Sequence, residues 1–144
     1  MLVWFAACAP PPVDVEPTVP RPQLARHAGS LDWRACPPSL PASCRMTVLE
    51  GDPSVAGQLF TTRLRVPEAF ALPPHTHPAN ERLTVLEGDV HVSFGPTRKP
   101  NASRDFGPLD YYVTARGEPH AVWSDAGAMV QITGIGPWKV EPVE

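Results

Sequence analysis

The sequence predicts an all-β domain, an antiparallel sandwich or barrel, preceded by an extended proline-rich leader. Short apolar or alternating runs recur at roughly 8–12-residue spacing, and Gly, Pro, Asn or Asp ends most of them. The 20 prolines among 144 residues recur too often for long helices to fit between them. No helical pattern separates the strand-like runs, which disfavours a parallel α/β fold. The hydrophobic fraction of 42% supplies one core, so a wholly disordered chain is excluded.

Nine of the 20 prolines lie in residues 1–41, which divides the chain into a leader, 1–30, and a domain, 31–144. The apolar opening ends in Ala6-Ala7 before Cys8 and resembles the tail of a bacterial lipoprotein signal, in which Cys8 would carry the lipid. Residues 9–30 have polyproline character and suit a tether. Residues 23–33 carry Leu24, Leu31 and Trp33 and are expected to lie along the domain. Cys36 and Cys44 flank a turn-rich segment containing Pro37, Pro38 and Pro41. A disulfide there, with Cys8 lipidated, would use all three cysteines in an exported, periplasmic or membrane-anchored protein. The alternative is two reduced thiols in a cytoplasmic protein. The net charge of −3 comes without a basic cluster beyond Arg98-Lys99, so no nucleic-acid footprint is visible. No apolar run reaches the ~18–20 residues that span a bilayer, leaving a lipid anchor as the membrane attachment the sequence suggests.

The elements follow in order. Arg45–Glu50 precedes the turn Gly51-Asp52-Pro53, and residues 58–66 alternate until Pro67 stops them. Residues 82–87 run into Gly88-Asp89, a hairpin signal, and Val90–Phe94 follows with Val90, Val92 and Phe94 on one face. Tyr111–Thr114 is aromatic and β-branched, with one tyrosine expected in the core and one at the rim. Residues 121–124 lead to the turn Asp125-Ala126-Gly127, after which Ala128–Ile135 resumes the strand pattern.

Four side chains suggest chemistry: His75, His77, Glu81 and His120. The two-residue spacing of His75 and His77 puts both imidazoles on one side of an extended strand. Pro78-Ala79-Asn80 turns the chain, and Glu81 opens the next strand on the face of Leu83 and Val85. His120 follows a Gly117-Glu118-Pro119 turn, and an antiparallel barrel brings it alongside. Three imidazoles and a carboxylate suit one divalent Fe, Mn, Ni, Cu or Zn ion. Such a set leaves positions open on the metal for water, substrate or O2.

With these residues the sequence resembles the cupin superfamily. Its first motif, G-x5-H-x-H-x3-E-x6-G, is matched by Ala69, His75, His77, Glu81 and Gly88, with alanine in place of the first glycine. The end of its second motif, P-x-G-x2-H-x3-N, is matched by Ala115, Gly117, His120 and Ser124, with Gly107 nearest to the displaced opening glycine. The stretches Val48-Leu49-Glu50-Gly51-Asp52-Pro53 and Gly134-Ile135-Gly136-Pro137-Trp138 also look like a group of small single-domain bacterial cupins. The resemblance covers roughly residues 45–135. It implies an antiparallel jelly-roll β-barrel with His75, His77, Glu81 and His120 as metal ligands inside one end, and a homodimer paired through sheet edges.

Gln131 and Thr133 share a face of the last long strand, opposite Val130 and Ile132, and are expected to look into the lumen as substrate-binding or ligand-orienting groups. Trp123 alternates away from His120 and is read as core, while His91 is read as exposed. No nucleophile elbow, phosphate loop or redox cysteine pair is present. Two functions follow from the reading. One is a mononuclear metal-dependent enzyme of oxygenase type acting on a small organic substrate. The other is a non-catalytic module that binds or senses a small molecule or a metal.

Overall fold

The computed structural model describes residues 23–143. Cys8 and the first part of the leader lie outside the described residues. The strands are β1 (Arg34–Ala35), β2 (Arg45–Glu50), β3 (Leu59–Val66), β4 (Phe70–Thr76), β5 (Glu81–Gly88), β6 (Val90–Phe94), β7 (Arg104–Phe106), β8 (Tyr111–Thr114), β9 (His120–Ser124), β10 (Ala128–Ile135) and β11 (Glu141–Pro142). They form two antiparallel sheets, ordered β1-β2-β3-β10-β5-β8 and β11-β4-β9-β6-β7. This is a jelly roll, the fold the sequence predicts.

Alternation explains why the sheets face each other. In β3, Phe60, Thr62, Leu64 and Val66 are buried while the residues between them are not. In β5, Glu81, Leu83 and Val85 are the inward set. Phe60, Leu83, Val85, Val90, Val130 and Ile132 are nearly inaccessible and fill the space between the sheets. Burial of side chains of this size stabilises by roughly 1.5–3 kcal/mol each.

One expectation about connectivity is corrected. Gly88-Asp89 does not close a hairpin: β5 pairs with β10 and β8, whereas β6 pairs with β9 and β7. The chain crosses from one sheet to the other at this turn. An alternating pattern records which side of a strand is buried but not which sheet the strand joins. The turns at 67–69 and 125–127 are crossings of the same kind, and the three meet at one end of the barrel. Ala69 N–H donates to the Asp125 carbonyl at 3.0 Å. A Cβ on Gly88 (φ 71°) would run into the carbonyl oxygen of Gly127. We refer to this as the corner end.

The segment at 36–44 seals the corner end from the outside. Cys36 and Cys44 are joined by a disulfide, and Leu40 between them is 6% exposed and packs into the core. Of the apolar residues expected along the domain, Leu31 and Trp33 are half-buried and the Arg65 guanidinium lies 4.4 Å from the Trp33 ring centre. Leu24 is exposed. Two residues with side chains stand where the two motifs place glycine, and the second departs from the sequence reading. Ala69 (φ 54°) and Leu109 (φ 75°) both adopt left-handed backbone. Leu109 stands at the spacing where the second motif opens on glycine, and Gly107 is not left-handed. The glycine is therefore not displaced but replaced.

Candidate metal centre

The opposite end of the barrel gathers the histidines. His75 closes a stretch of β4 whose register against β9 shifts between Leu72 and His75. Pro73 and Pro74 lack the N–H groups that a regular ladder needs, and the extra residue they introduce changes the face parity. As a result Leu72 and His75, three residues apart, both point inward, and His75 stands directly across from His120. His77 follows on the same side. Its carbonyl accepts from Gly117 N–H at 3.0 Å, and Asn80 Oδ1 accepts from Arg116 N–H at 2.8 Å. These bonds tie the turn after His77 to the turn before His120.

The three rings lie 4.3–5.2 Å apart, centre to centre. All three residues are at most 3% exposed. One nitrogen from each falls in a group whose members lie within 4.8 Å of one another. Their outward nitrogens face backbone carbonyls: His75 Nδ1 meets Pro73 O at 2.8 Å, His77 Nδ1 meets Lys139 O at 2.6 Å, and His120 Nδ1 meets Glu118 O at 3.4 Å. A carbonyl only accepts, so each Nδ1 carries a proton, and Nε2 is the nitrogen left to bind an ion. The Nε2 atoms of His77 and His120 are buried without a hydrogen-bond partner. Fixing the tautomer through the second nitrogen is how metal-binding imidazoles are oriented, and unpartnered buried nitrogens need a partner. The donor set therefore fits a divalent transition ion.

Burial keeps His75 and His120 neutral. It pushes His75 down to about 4, opposed by its bond to Pro73 O and helped by His77. Burial, reinforced by His75 and His77, pushes His120 down to about 3. Neutral imidazole is the ligating form.

The fourth sequence candidate sits differently. Glu81 is 6% exposed, and its Oε2 lies 3.5 Å from His77 Nε2. That oxygen accepts a 2.7 Å hydrogen bond from the indole N–H of Trp138. Glu81 does not fall within the compact group formed by the three histidines. Trp138 also lies nearly parallel to the His77 ring (13°, centres 6.4 Å apart), and the next residue supplies the carbonyl that orients His77. Sequence reasoning noted Trp138 in a family-like stretch without giving it a role. Its signal was an aromatic N–H just past the last long strand, where the chain recrosses the barrel mouth.

Gln131 and Thr133 do not look into the lumen. Val130 and Ile132 fill that face, and the two polar residues point outward, where Gln131 Oε1 accepts from Arg63 Nε at 3.0 Å and the Thr133 and Thr61 hydroxyls lie 3.0 Å apart. The lumen is mainly apolar, so the apolar residues of β10 take it. Trp123 is buried, as expected, under the Arg98 guanidinium. His91 is not simply exposed: it stacks on Trp123, and its Nδ1 lies 2.7 Å from Asp105 Oδ1. Tyr112 is the core tyrosine and Tyr111 the exposed one.

Below the histidines runs a cavity of about 40 Å³, bordered by Leu64, Phe70, Val90 and Val130, with His77, Glu81 and Trp138 at one end. Tyr112 and Ser124 border it as well, and their hydroxyl oxygens are buried without partners. Burial, then the Glu81 charge, holds the Tyr112 phenol well above its usual range, so it remains a neutral donor.

Two facing antiparallel sheets with a histidine triad inside one end define the double-stranded β-helix, or cupin, fold, and this chain has it. Solved structures bear this out. A candidate acetylacetone dioxygenase from Methylibium petroleiphilum PM1 superposes with a TM-score of 0.69 at 13% identity, over 88% of this chain and 90% of that one. The polyketide cyclase RemF from Streptomyces resistomycificus gives 0.66 at 20% identity, over 85% and 86%. An RmlC-like cupin from Shewanella frigidimarina gives 0.57 at 13% identity, over 85% and 96%. At these identities the likeness is one of fold. By sequence, no family model and no curated protein matches the chain.

Proposed function

We propose that this protein is a mononuclear metal-dependent enzyme of oxygenase type acting on a small organic molecule. The observation that carries the reading is the convergence of three buried imidazoles whose Nδ1 atoms are committed to carbonyls and whose Nε2 atoms face one point. His75, His77 and His120 would hold the ion, which when bound supplies Lewis-acid and one-electron chemistry. Three such ligands would leave positions on the ion open to other groups. The chain's own residues define what enters. At ~10–15 Å³ for a water molecule, the cavity of about 40 Å³ takes only a few non-hydrogen atoms unless its walls move. Its apolar sides exclude bulk water and favour a largely hydrocarbon body. The Tyr112 and Ser124 hydroxyls offer that body hydrogen bonds. Two neighbours of known fold are described as acting on oxygen-bearing carbon compounds, a diketone and a polyketide, which supports the substrate class. The Cys36–Cys44 disulfide supports an exported protein in an oxidising compartment.

The test is metal analysis of the purified protein, followed by oxygen uptake with a panel of phenols and diketones. The expected result is a stoichiometric transition metal and turnover that His77→Ala abolishes. Ligand-dependent melting shifts without turnover would instead identify a binding or sensing module. Failure to hold any transition ion would overturn both readings.

A further inference from the structure

We infer that Leu40 is the stopper of the lumen: carried on a disulfide-closed loop, it sets the length of the apolar chain that the cavity takes. This deepens the small-molecule reading above, on which it rests, and restricts the ligand to an oxygen-bearing head with a short hydrocarbon tail.

The first observation is where the loop sits. Residues 36–44 meet the sheet at Arg45, which pairs with Arg65, next to Val66 at the end of β3. That is the corner end of the barrel, away from the histidines. Leu40 nevertheless borders the same cavity as His77 and Trp138, together with Val66, Phe70 and Ser124. The cavity therefore connects the histidine end to the loop. A molecule whose head lies by the histidines extends its tail toward Leu40.

The second observation is that this part of the wall differs in kind from the rest. Most of the lining is held in strand ladders, as Leu64 and Val130 are, paired with each other across β3 and β10. Leu40 is held by a loop closed on itself. Its N–H donates to Pro37 O at 2.9 Å, Cys44 N–H to Pro41 O at 2.9 Å, and Cys36 N–H to Cys44 O at 3.3 Å. Arg45 Nη1 donates to the carbonyls of Ala42 and Cys44, each at 2.9 Å. The Cys36–Cys44 bond closes the base. Among the described residues, no hydrogen bond ties residues 37–43 to anything outside 36–45. The loop fixes its own shape, so a change at Leu40 alters the lumen without breaking a ladder.

The third observation is what the loop sends inward. Pro38, Ser39, Ala42 and Ser43 are exposed, whereas Leu40 and Cys44 are buried, and of these Leu40 alone borders the cavity. One side chain thus decides how much room remains. At ~10–15 Å³ for each water-sized position, the cavity of about 40 Å³ holds about three or four non-hydrogen atoms. Truncating Leu40 to alanine frees room for about three more, because the surrounding walls relax only in part.

The test is calorimetric titration of the full chain with unbranched 1-alkanols, from propanol to octanol, in wild type, L40A, L40F and V92A. Each methylene that finds room should tighten binding about four-fold, and affinity should stop rising once the tail meets its stop. L40A should extend the rise by about three carbons, and L40F should shorten it. V92A alters a fully buried valine that does not border the cavity, and should leave the limit where it is. A rise that ends at the same alkanol in L40A as in wild type would overturn the inference. So would an equal extension in V92A, which would mark a general loosening of the core, or absence of alkanol binding in every variant. If L40A does not fold, L40V and L40F decide, since they must move the limit in opposite directions. The titrations need no metal. Protein that holds no transition ion overturns the enzymatic reading, a result distinct from any of these.

Discussion

The two ends of this barrel are built on different principles. The corner end is held by backbone: three crossings between sheets press on one another, Ala69 N–H bonds Asp125 O, and Gly88 lies against Gly127 with no room for a side chain. The histidine end is held by side-chain chemistry: three imidazoles and a carboxylate, each with a committed partner, surround a point where donor atoms converge. At the corner end, residues unsuited to their backbone are tolerated, because neighbouring hydrogen bonds impose the conformation. At the histidine end the burial and the donor atom belong to the same imidazole, so truncating the side chain loses both.

The largest expected effect isolates the histidine end. In metal-free protein, His75 and His120 are lowered to about 4 and about 3 from an unfolded value of 6.5. Between those values the unfolded chain binds protons that the folded chain refuses. Stability is then full above about pH 6.5 and is lost as the pH falls toward 4. The loss at pH 5 relative to pH 8 is expected to be on the order of 3–4 kcal/mol, read from urea unfolding of the stripped protein. A flat profile would mean that the imidazoles are not held neutral. The contrast between the ends would then lose its chemical half.

His77→Ala comes next. It removes a donor and leaves Lys139 O and Glu81 without their neighbour. Metal affinity should fall by about 100-fold or more, beyond what loss of a supporting group causes. Variants at the corner end should leave affinity unchanged in the same competition assay. A corner variant that releases metal would show that the ends are coupled.

These contrasts also explain what the amino-acid pattern could show. The strands were legible because apolar residues alternate, and the histidine triad because His-x-His with a distant third histidine suits few structures other than a barrel end. Glu81 was legible as a member of the site, but not its bond to Trp138, since a contact across 57 residues leaves no local signature. The crossing at Gly88-Asp89 looked like a hairpin because a left-handed glycine serves both. Gln131 and Thr133 were misplaced for a simpler reason: function was sought in polar residues of β10 when a mainly apolar lumen takes Val130 and Ile132.

The disulfide tests the corner end's mechanical role. Cys36 and Cys44 close a short loop that presents Leu40 to the core. Replacing both cysteines by serine should cost roughly 2–3 kcal/mol through restored freedom of the unfolded chain. Metal affinity should be retained. If affinity falls with stability, the seal at one end reaches the chemistry at the other.

The smallest effect runs in the opposite direction, toward stability. Ala69 and Leu109 hold φ of 54° and 75°, a region that costs a residue with a Cβ roughly 1–2 kcal/mol. Ala69→Gly or Leu109→Gly removes that strain. Each adds about 0.5–1 kcal/mol of unfolded-state entropy, as glycine always does. Leu109 is 85% exposed and Ala69 is exposed, so neither change gives up core packing. Their N–H groups remain bonded, to Val85 O at 2.9 Å and to Asp125 O at 3.0 Å, so the turns stay closed. Each glycine should therefore stabilise by about 0.5–1 kcal/mol, additively, because the two turns share no hydrogen-bond partner. Thermal unfolding of the double variant checks this. A loss of stability would mean that the side chains themselves, rather than the surrounding hydrogen bonds, hold the corner turns in place.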